Sequence, residues 1–191
     1  MKSNNKMKSN NKRLAEIFGT HAVHAALQNP SRKHEKLFIS HQQRKILGKG
    51  IENLVSDINE LHNKEMFKMF GNESTHQGIV LRTSKLQQPS LQEFINDTYK
   101  NKTDVVVMLD QVTDPNNIGS IMRSCSLFNS KSIIVSNDNA PDVTATMAKA
   151  ASGALESVNY ISVVNLSRAM IQFKKNNYWI YGFDSNKNNN Q

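Results

Sequence analysis

The chain has 191 residues, of which 38% are hydrophobic and 21% charged, a balance typical of a soluble globular protein. Its longest apolar runs, such as VVVML, are far too short to cross a bilayer, and the basic N-terminus has no apolar segment behind it, which argues against a secretory signal. The single cysteine, Cys125, can form no internal disulfide, so we expect a cytoplasmic protein without membrane contact.

The excess positive charge is confined to the first half of the chain. Residues 1–86 hold 15 Lys and Arg against 7 Asp and Glu, a net charge of +8, whereas residues 87–191 hold 9 of each. A basic first half indicates a phosphate-rich partner such as RNA. A biased genome is the alternative explanation for the many Lys and Asn residues, so charge alone leaves the partner open.

The first half predicts a small α/β unit. Residues 1–13, a direct repeat of MKSNNK followed by one arginine, predict a disordered basic tail ahead of this unit at 14–83. Within the unit the sequence favours a helix at 19–29, a strand at 35–40, a helix over 42–62 weakened by two glycines, and a strand at 78–83. Residues 84–103 predict a linker that leads into a short helix.

The second half predicts a parallel sheet. At 104–184 apolar strands alternate with amphipathic helices, a pattern typical of parallel strands covered on both faces. The predicted strands are 105–109, 132–136, 159–164 and 178–182, and the predicted helices are 118–129, 142–153 and 166–176. Residues 185–191 predict a polar tail.

The first helix of the second unit carries the candidate chemistry. An apolar stripe predicted to face the sheet is formed by Ile118, Ile121, Met122, Cys125 and Phe128. Arg123 lies about 140° from Ile118 around the helix, so its side chain points away from the core. Asn116 or Asn117 is the expected N-cap.

The loop and helix contain the pattern D-P-x-N-x-G-x-x-x-R, formed by Asp114, Pro115, Asn117, Gly119 and Arg123. Directly after an apolar strand, this pattern resembles the first signature motif of the SpoU (TrmH-type) RNA 2′-O-ribose methyltransferases of the SPOUT superfamily. The chain most resembles the bacterial rRNA guanosine-2′-O-methyltransferases of that family.

Further segments carry the same resemblance. GTHAVHAAL and HQGIVL are similar to the start and end of the family's substrate-binding domain, and DNAPDVTATMAKAASGALESV and LSRAMIQFKKNNYWIYG continue the match into the catalytic domain. The similarity covers roughly residues 14–183. It implies a small N-terminal α/β RNA-binding domain, similar to certain ribosomal proteins, followed by a parallel α/β SPOUT domain.

The resemblance also implies an activity and its residues. It implies S-adenosylmethionine as cofactor, rRNA or tRNA as substrate and a homodimer, with Asn117 and Arg123 as catalytic residues and Gly182 near the cofactor. Arg123 would act as base or as a clamp on the adjacent phosphate, and the clamp is favoured because a guanidinium stays protonated. Asn117 would orient Arg123 or the loop.

The printed sequence departs from the family in one respect. The second motif, a Gly-x-Glu segment, and the third, a Ser-Leu-Asn segment, are absent. In the family those segments build most of the cofactor pocket, thread a trefoil knot and supply much of the dimer contact. We therefore expect an incomplete SPOUT domain, lacking the knot-forming C-terminal part, and a chain that cannot form the whole cofactor site or dimer contact alone.

Three functions stay open from the sequence. The first is transfer of a methyl group to a ribose 2′-hydroxyl, with RNA phosphates bound by Arg32, Lys33, Arg44 and Lys45. The second is a non-catalytic RNA-binding remnant of such an enzyme. The third, a dinucleotide-binding enzyme, is disfavoured because the chain lacks the glycine fingerprint of such sites. We expect no metal site, since His21 and His24 lack a third ligand.

The segment EMFKMF has two interpretations. Its Met and Phe side chains predict either a surface for stacking nucleic-acid bases or local packing, and packing is favoured.

Overall fold

The computed structural model describes residues 14–48, 50–98, 104–138 and 140–183, so the tails at 1–13 and 185–191 lie outside the described residues. The strands are β1 Leu14–Phe18, β2 His34–Ser40, β3 Ile58–Leu61, β4 Ile79–Ser84, β5 Val106–Leu109, β6 Ser132–Ser136 and β7 Asn159–Val163. The α-helices are α1 Thr20–Gln28, α2 His41–Leu47, α3 Asn63–Phe70, α4 Glu73–His76, α5 Leu91–Thr98, α6 Pro115–Leu127, α7 Ala145–Ala151 and α8 Leu166–Lys175. Two 3-10 helices span Ile51–Asn53 and Ala154–Glu156. The described helices include none that is both long and apolar enough to span a bilayer.

The first sheet has four strands in the order β1-β4-β2-β3. β4 is antiparallel to both β1 and β2, whereas β2 and β3 are parallel. One face of the central strands is completely buried, through Leu37, Ile39, Ile79 and Leu81. The predicted strands at 35–40 and 78–83 are confirmed, while β1 was not predicted.

The predicted helix over 42–62 is wrong. The chain instead forms α2, a 3-10 turn and β3, because Gly48 and Gly50 adopt φ values of 71° and 108° that end the helix. Ile51 and Val55 still enter the core. Their apolar spacing therefore reflects burial of an irregular segment rather than one helix face.

The second sheet contains the parallel strands β5, β6 and β7 in that order. Ile133 and Ile134 of β6 are both buried although they point to opposite faces, as expected for a parallel sheet covered on both sides. The prediction that β5 is a buried strand needs correction. Among the described strands β5 pairs only with β6, so its residues are half-buried and Val105 is 56% exposed.

The predicted strand at 178–182 does not form. The segment is irregular and pairs with none of the described strands. Tyr178 packs edge-on against Phe173 with ring centroids 4.9 Å apart, which holds the start of the segment on α8. Trp179 beyond it is 85% exposed. A β-strand is stabilised by backbone hydrogen bonds to a neighbouring strand, and this apolar segment has no described strand beside it to form them.

The two units share one hydrophobic core. Val23 and Ala26 of α1 and Met147 and Ala151 of α7 are fully buried within the same cluster. The approach is close, because a side chain at Gly153 would bring its Cβ to 2.8 Å from the Cβ of Ala25. The helices of the first unit therefore pack directly on the second, and the domain limits at 83 and 104 stay predictions.

Candidate functional site

The motif loop connects β5 to α6. Gln111 adopts a φ of 56°, a left-handed conformation that is uncommon outside glycine. Asp114 is the N-cap of α6, since its side chain accepts a hydrogen bond from the backbone N–H of Asn116 at 2.9 Å, and Pro115 follows at the first helical position. Asn116 and Asn117 are therefore not the cap, contrary to the sequence prediction, and lie in the first turn.

The buried face of α6 explains the motif glycine. Ile118, Met122 and Cys125 are buried as predicted, whereas Phe128, predicted to lie on the same stripe, is 81% exposed. A Cβ on Gly119 would lie 2.6 Å from both the Met147 carbonyl oxygen and the Cβ of Ala150, distances far inside van der Waals contact. Gly119 thus allows α6 and α7 to cross at close range, which fixes the helix that carries the candidate residues.

Asn117 and Arg123 lie on the exposed side of α6. Among the described residues, the structure records no hydrogen bond or ion pair for either side chain. They are six positions apart, which corresponds to about 9 Å along the helix axis and about 120° around it. Arg123 therefore shares its face with Asn116 and Ser120 rather than with Asn117, and the expected orientation of Arg123 by Asn117 stays a prediction without a contact.

Two clefts of the described chain lie away from these residues. A cleft of about 980 Å³ runs between the two units and is lined in part by Lys33, Lys85 and Glu156. A second of about 480 Å³ lies beside α5. Neither is lined by Asn117, Arg123 or Gly182. Gly182 is exposed, and no atom of the described residues lies within 4 Å of the position that its Cβ would take.

The predicted role of Arg32 needs correction. Its guanidinium is buried and donates three hydrogen bonds, two to the carboxylate of Glu156 at 2.8 Å and one to the Ser84 carbonyl oxygen at 2.7 Å. Each of its three nitrogens donates to a protein atom, and the side chain is only 2% exposed. Arg32 therefore has no free edge for an RNA phosphate.

The three remaining docking candidates are accessible to different degrees. Lys33 and Lys45 are exposed, and Lys33 lines the cleft between the units. Arg44 is half-buried and paired with Glu52, and its Nη1 is buried without a hydrogen-bond partner among the described residues. Bonding to nearby backbone N–H groups and to Arg44 lowers the pKa of the Glu52 carboxyl. The lysines are consequently the more available of these cations.

The two motif segments of the first unit meet through polar side chains. Gln77 accepts a hydrogen bond from the backbone N–H of Thr20 at 3.1 Å, which satisfies the start of α1. His76 is buried: Nδ1 accepts from Gly78 N–H at 2.9 Å, which leaves Nε2 to donate to the Gly71 carbonyl oxygen. Gln77 thus links the segment before β4 to the start of α1, and His76 links the same segment to Gly71 at the end of α3.

Other reactive groups have structural explanations. Burial raises the pKa of the Cys125 thiol, so the packing role predicted for it is confirmed and a thiolate is disfavoured. Within the described ranges, no group of three or more His, Cys, Asp or Glu side chains could hold a metal ion. In EMFKMF, Met66 is fully buried and Phe70 packs at 5.0 Å from Phe38, whereas Phe67 and Met69 are exposed.

Sequence reasoning missed Glu156. It is 124 positions from Arg32 in the chain, and no local spacing connects the two. A lone acid between buried Leu155 and Val158 was the only available signal, because an acid in an apolar segment needs a partner.

Comparisons with known proteins identify both halves of the chain. Residues 17–89 match the family described as RNA 2′-O ribose methyltransferase substrate binding, and residues 104–191 match the SpoU rRNA Methylase family. The chain is 32% identical over 169 residues to the 23S rRNA (guanosine-2′-O-)-methyltransferase RlmB of Salmonella typhi, covering 87% of this chain and 70% of RlmB. It is 30% identical to an uncharacterized tRNA/rRNA methyltransferase of Synechocystis, of which it covers 44%.

Solved structures share the fold at lower identity. The SpoU methyltransferase AviRb of Streptomyces viridochromogenes, solved with the cofactor AdoMet, superposes with a TM-score of 0.62 at 19% identity, covering 89% of this chain and 63% of AviRb. An rRNA methyltransferase from Sinorhizobium meliloti superposes with a TM-score of 0.64 at 17% identity, covering 87% of this chain and 60% of that protein. The chain thus spans less than two thirds of these solved proteins. From the matches to both family models and to RlmB, the chain belongs to the SpoU family of RNA methyltransferases.

Proposed function

We propose that this protein transfers a methyl group from S-adenosylmethionine to a ribose 2′-hydroxyl of rRNA or tRNA. The observation that carries the proposal is the exposed Arg123, unpaired among the described residues, on a helix fixed by Gly119 in a chain that matches the SpoU family. RlmB, a relative, is named for this reaction on 23S rRNA. A cytoplasmic location and a homodimer belong to the same proposal.

Arg123 would position the RNA rather than remove a proton. The 2′-hydroxyl must lose its proton as its oxygen attacks the methyl group, but a guanidinium remains protonated near neutral pH. Its planar donors suit two oxygens of the adjacent phosphate. Holding that phosphate places the hydroxyl for in-line attack and supplies the entropic part of catalysis.

The methyl donor in this proposal follows from the family match. S-adenosylmethionine is the methyl donor of the SpoU family, and AviRb was solved with it. No atom of the described residues lies within 4 Å of the Cβ position at Gly182, and neither of the two clefts above is lined by Asn117 or Arg123. In this proposal Arg123 and Asn117 face the RNA, and Gly182 contacts the cofactor.

RNA docking is assigned to the first unit. Lys33 and Lys45 are exposed there, in the part of the chain that matches the substrate-binding family. Arg44 can add a contact only by sharing its guanidinium with Glu52. The surface lysines would grip phosphates without reading sequence, whereas Arg123 would contact the reacting nucleotide.

The decisive measurement is transfer of labelled methyl groups from S-adenosylmethionine to rRNA by the full chain. Arg123→Ala is expected to lower the transfer rate by about 10²-fold, since it removes one preorganised charged group from the reacting nucleotide. RNA affinity, measured by filter binding, should change by less than about threefold, because most phosphate contacts lie on the first unit.

The matched control is Arg168→Ala, which removes another exposed helix arginine of the same unit. It should leave both transfer and RNA affinity unchanged. Equal losses of transfer and of affinity in Arg123→Ala would contradict the assigned role. If the unmodified chain binds RNA but transfers no methyl group, the alternative of a non-catalytic RNA-binding remnant would be supported instead.

A further inference from the structure

A buried polar cluster joins the two units of the molecule. Arg32, which precedes β2, presents Nε and Nη2 to the two carboxylate oxygens of Glu156, each at 2.8 Å. Its Nη1 donates to the Ser84 carbonyl oxygen at 2.7 Å, and Asn29 donates from Nδ2 to Glu156 at 2.7 Å. The first unit thus brings three donor groups around one carboxylate of the second.

The pair is removed from water. The side chains of Arg32 and Glu156 are 2% and 11% exposed. Taking two charges out of water costs much of what their attraction returns, so such a pair contributes little net stability compared with apolar residues of similar volume. Its bidentate geometry is directional, however, because the planar guanidinium accepts a carboxylate only along its edge.

The apolar contact around the pair lacks such direction. The buried residues of α1 and α7 are the four alanines Ala22, Ala26, Ala148 and Ala151 together with Val23, Leu27 and Met147. Apolar burial is non-directional, because its free energy follows the area removed from water. The bidentate Arg32–Glu156 ion pair therefore adds a directional contact that favours one orientation of the first unit on the second.

This orientation sets the geometry of the site. Lys33 follows Arg32 directly in the sequence, so a lysine proposed for RNA docking lies next to the Arg32–Glu156 ion pair. On the other side, the 3-10 helix with Glu156 follows α7, which crosses α6 at Gly119. A continuous path of packed elements thus connects Lys33 with Arg123.

We propose that Arg32 and Glu156 are positioning residues that lock the RNA-docking unit onto the methyltransferase unit in one orientation. The lock fixes the span between the bound phosphates and Arg123, so RNA docking determines which ribose reaches the site. This consequence rests on the proposed function, whereas the lock itself does not.

The test measures the distance between the units in the full chain. Spin labels are attached in a Cys125→Ala background to Gln42→Cys on α2 and Ser167→Cys on α8, both exposed positions. The reference protein should give one narrow distance distribution. Glu156→Gln, which leaves the Arg32 charge buried without its counterion, should broaden that distribution at least about twofold.

A second variant guards against simple unfolding. Arg32→Met combined with Glu156→Leu replaces the pair by apolar side chains, so the fold should survive, as judged by circular dichroism and an unchanged cooperative melt. The distribution should still broaden, because the directional contact is gone. An unchanged mean and width in this folded variant would overturn the lock.

The matched control is Glu16→Gln, which removes the carboxylate paired with Arg82 at 2.7 Å within the first sheet. It should leave the distribution unchanged, and broadening equal to that of Glu156→Gln would also overturn the lock.

Methyl transfer separates the two proposals. If the variants broaden the distance distribution but the reference protein transfers no methyl group, the positioning role is supported and the proposed function is overturned. If the variants leave the distribution unchanged and the reference protein transfers methyl groups, the proposed function is supported and the positioning role is overturned.

Discussion

The two units differ in what their arginines do. In the first unit every described arginine is paired with an acid: Arg32 with Glu156, Arg44 with Glu52 and Arg82 with Glu16. In the second unit Arg123 and Arg168 have no ion pair among the described residues. The described guanidinium groups of the basic half thus form ion pairs within the protein, while Arg123 and Arg168 of the electrically neutral half are exposed.

This contrast separates RNA docking from chemistry. A bidentate guanidinium is suited to one fixed carboxylate or phosphate, whereas a lysine ammonium is a flexible point charge. The first unit therefore offers Lys33 and Lys45 for loose phosphate contact, and the second offers Arg123 for one defined contact. The positive net charge indicated the first half, which matches the substrate-binding family, as the RNA-binding part. It did not show which of the lysines and arginines there are free to contact RNA.

The largest expected effect comes from breaking the support of Arg123. Gly119→Ala places a Cβ 2.6 Å from the Met147 carbonyl oxygen and must push α6 off α7. We expect a loss of about 1–3 kcal/mol in the free energy of unfolding, measured by urea titration, as is typical of overpacking. Gly182→Ala is the control, since no described atom lies within 4 Å there, and equal losses in both variants would contradict the packing role.

Local patterns predicted the second unit well, with the exceptions of its edge and end. The strands at β6 and β7, the helix α6 and the burial of Cys125 follow from periodicity within about a dozen residues. The half-exposed state of β5 and the missing strand at 178–182 depend on which strands lie beside them. A single segment carries no information about its neighbours in a sheet.

The site was predicted only in part, for the same reason. Helical spacing located Arg123 on the exposed side of a helix, where the structure has it, whereas Asn117, a predicted cap candidate, lies in the first turn instead. Arg32 looked like a free cation because its partner Glu156 lies 124 positions away. The use of Gly119 likewise depends on α7, so its packing role could not be read from α6 alone.

A smaller effect sharpens the difference in available cations. Lys33→Gln combined with Lys45→Gln should weaken RNA binding, and the slope of log affinity against log salt should fall by about 0.7–0.9 for each phosphate that is no longer neutralised. The control, Lys174→Gln with Lys175→Gln, removes the same charge from the last turn of α8 in the second unit. Filter binding at several salt concentrations measures both, and equal slope changes would contradict docking by the first unit.

The smallest expected effect is a pH dependence beside the Arg32–Glu156 pair. Burial lowers the pKa of His34 below 6.5, opposed in part by its contact with the Leu27 carbonyl oxygen, while Arg32 also lowers it. The unfolded chain therefore binds a proton at a higher pH than the folded chain. Stability from the neutral ring is complete above 6.5 and is lost as the pH falls below that value.

His34→Gln keeps a side-chain donor for the Leu27 carbonyl oxygen but does not titrate. Its free energy of unfolding should consequently fall less steeply below pH 6.5 than that of the unmodified protein. Measurements at pH 8, where His34 is neutral in both states, give the baseline cost of the substitution. Parallel stability curves through the acidic range would show that protonation of His34 does not contribute to the pH dependence of stability.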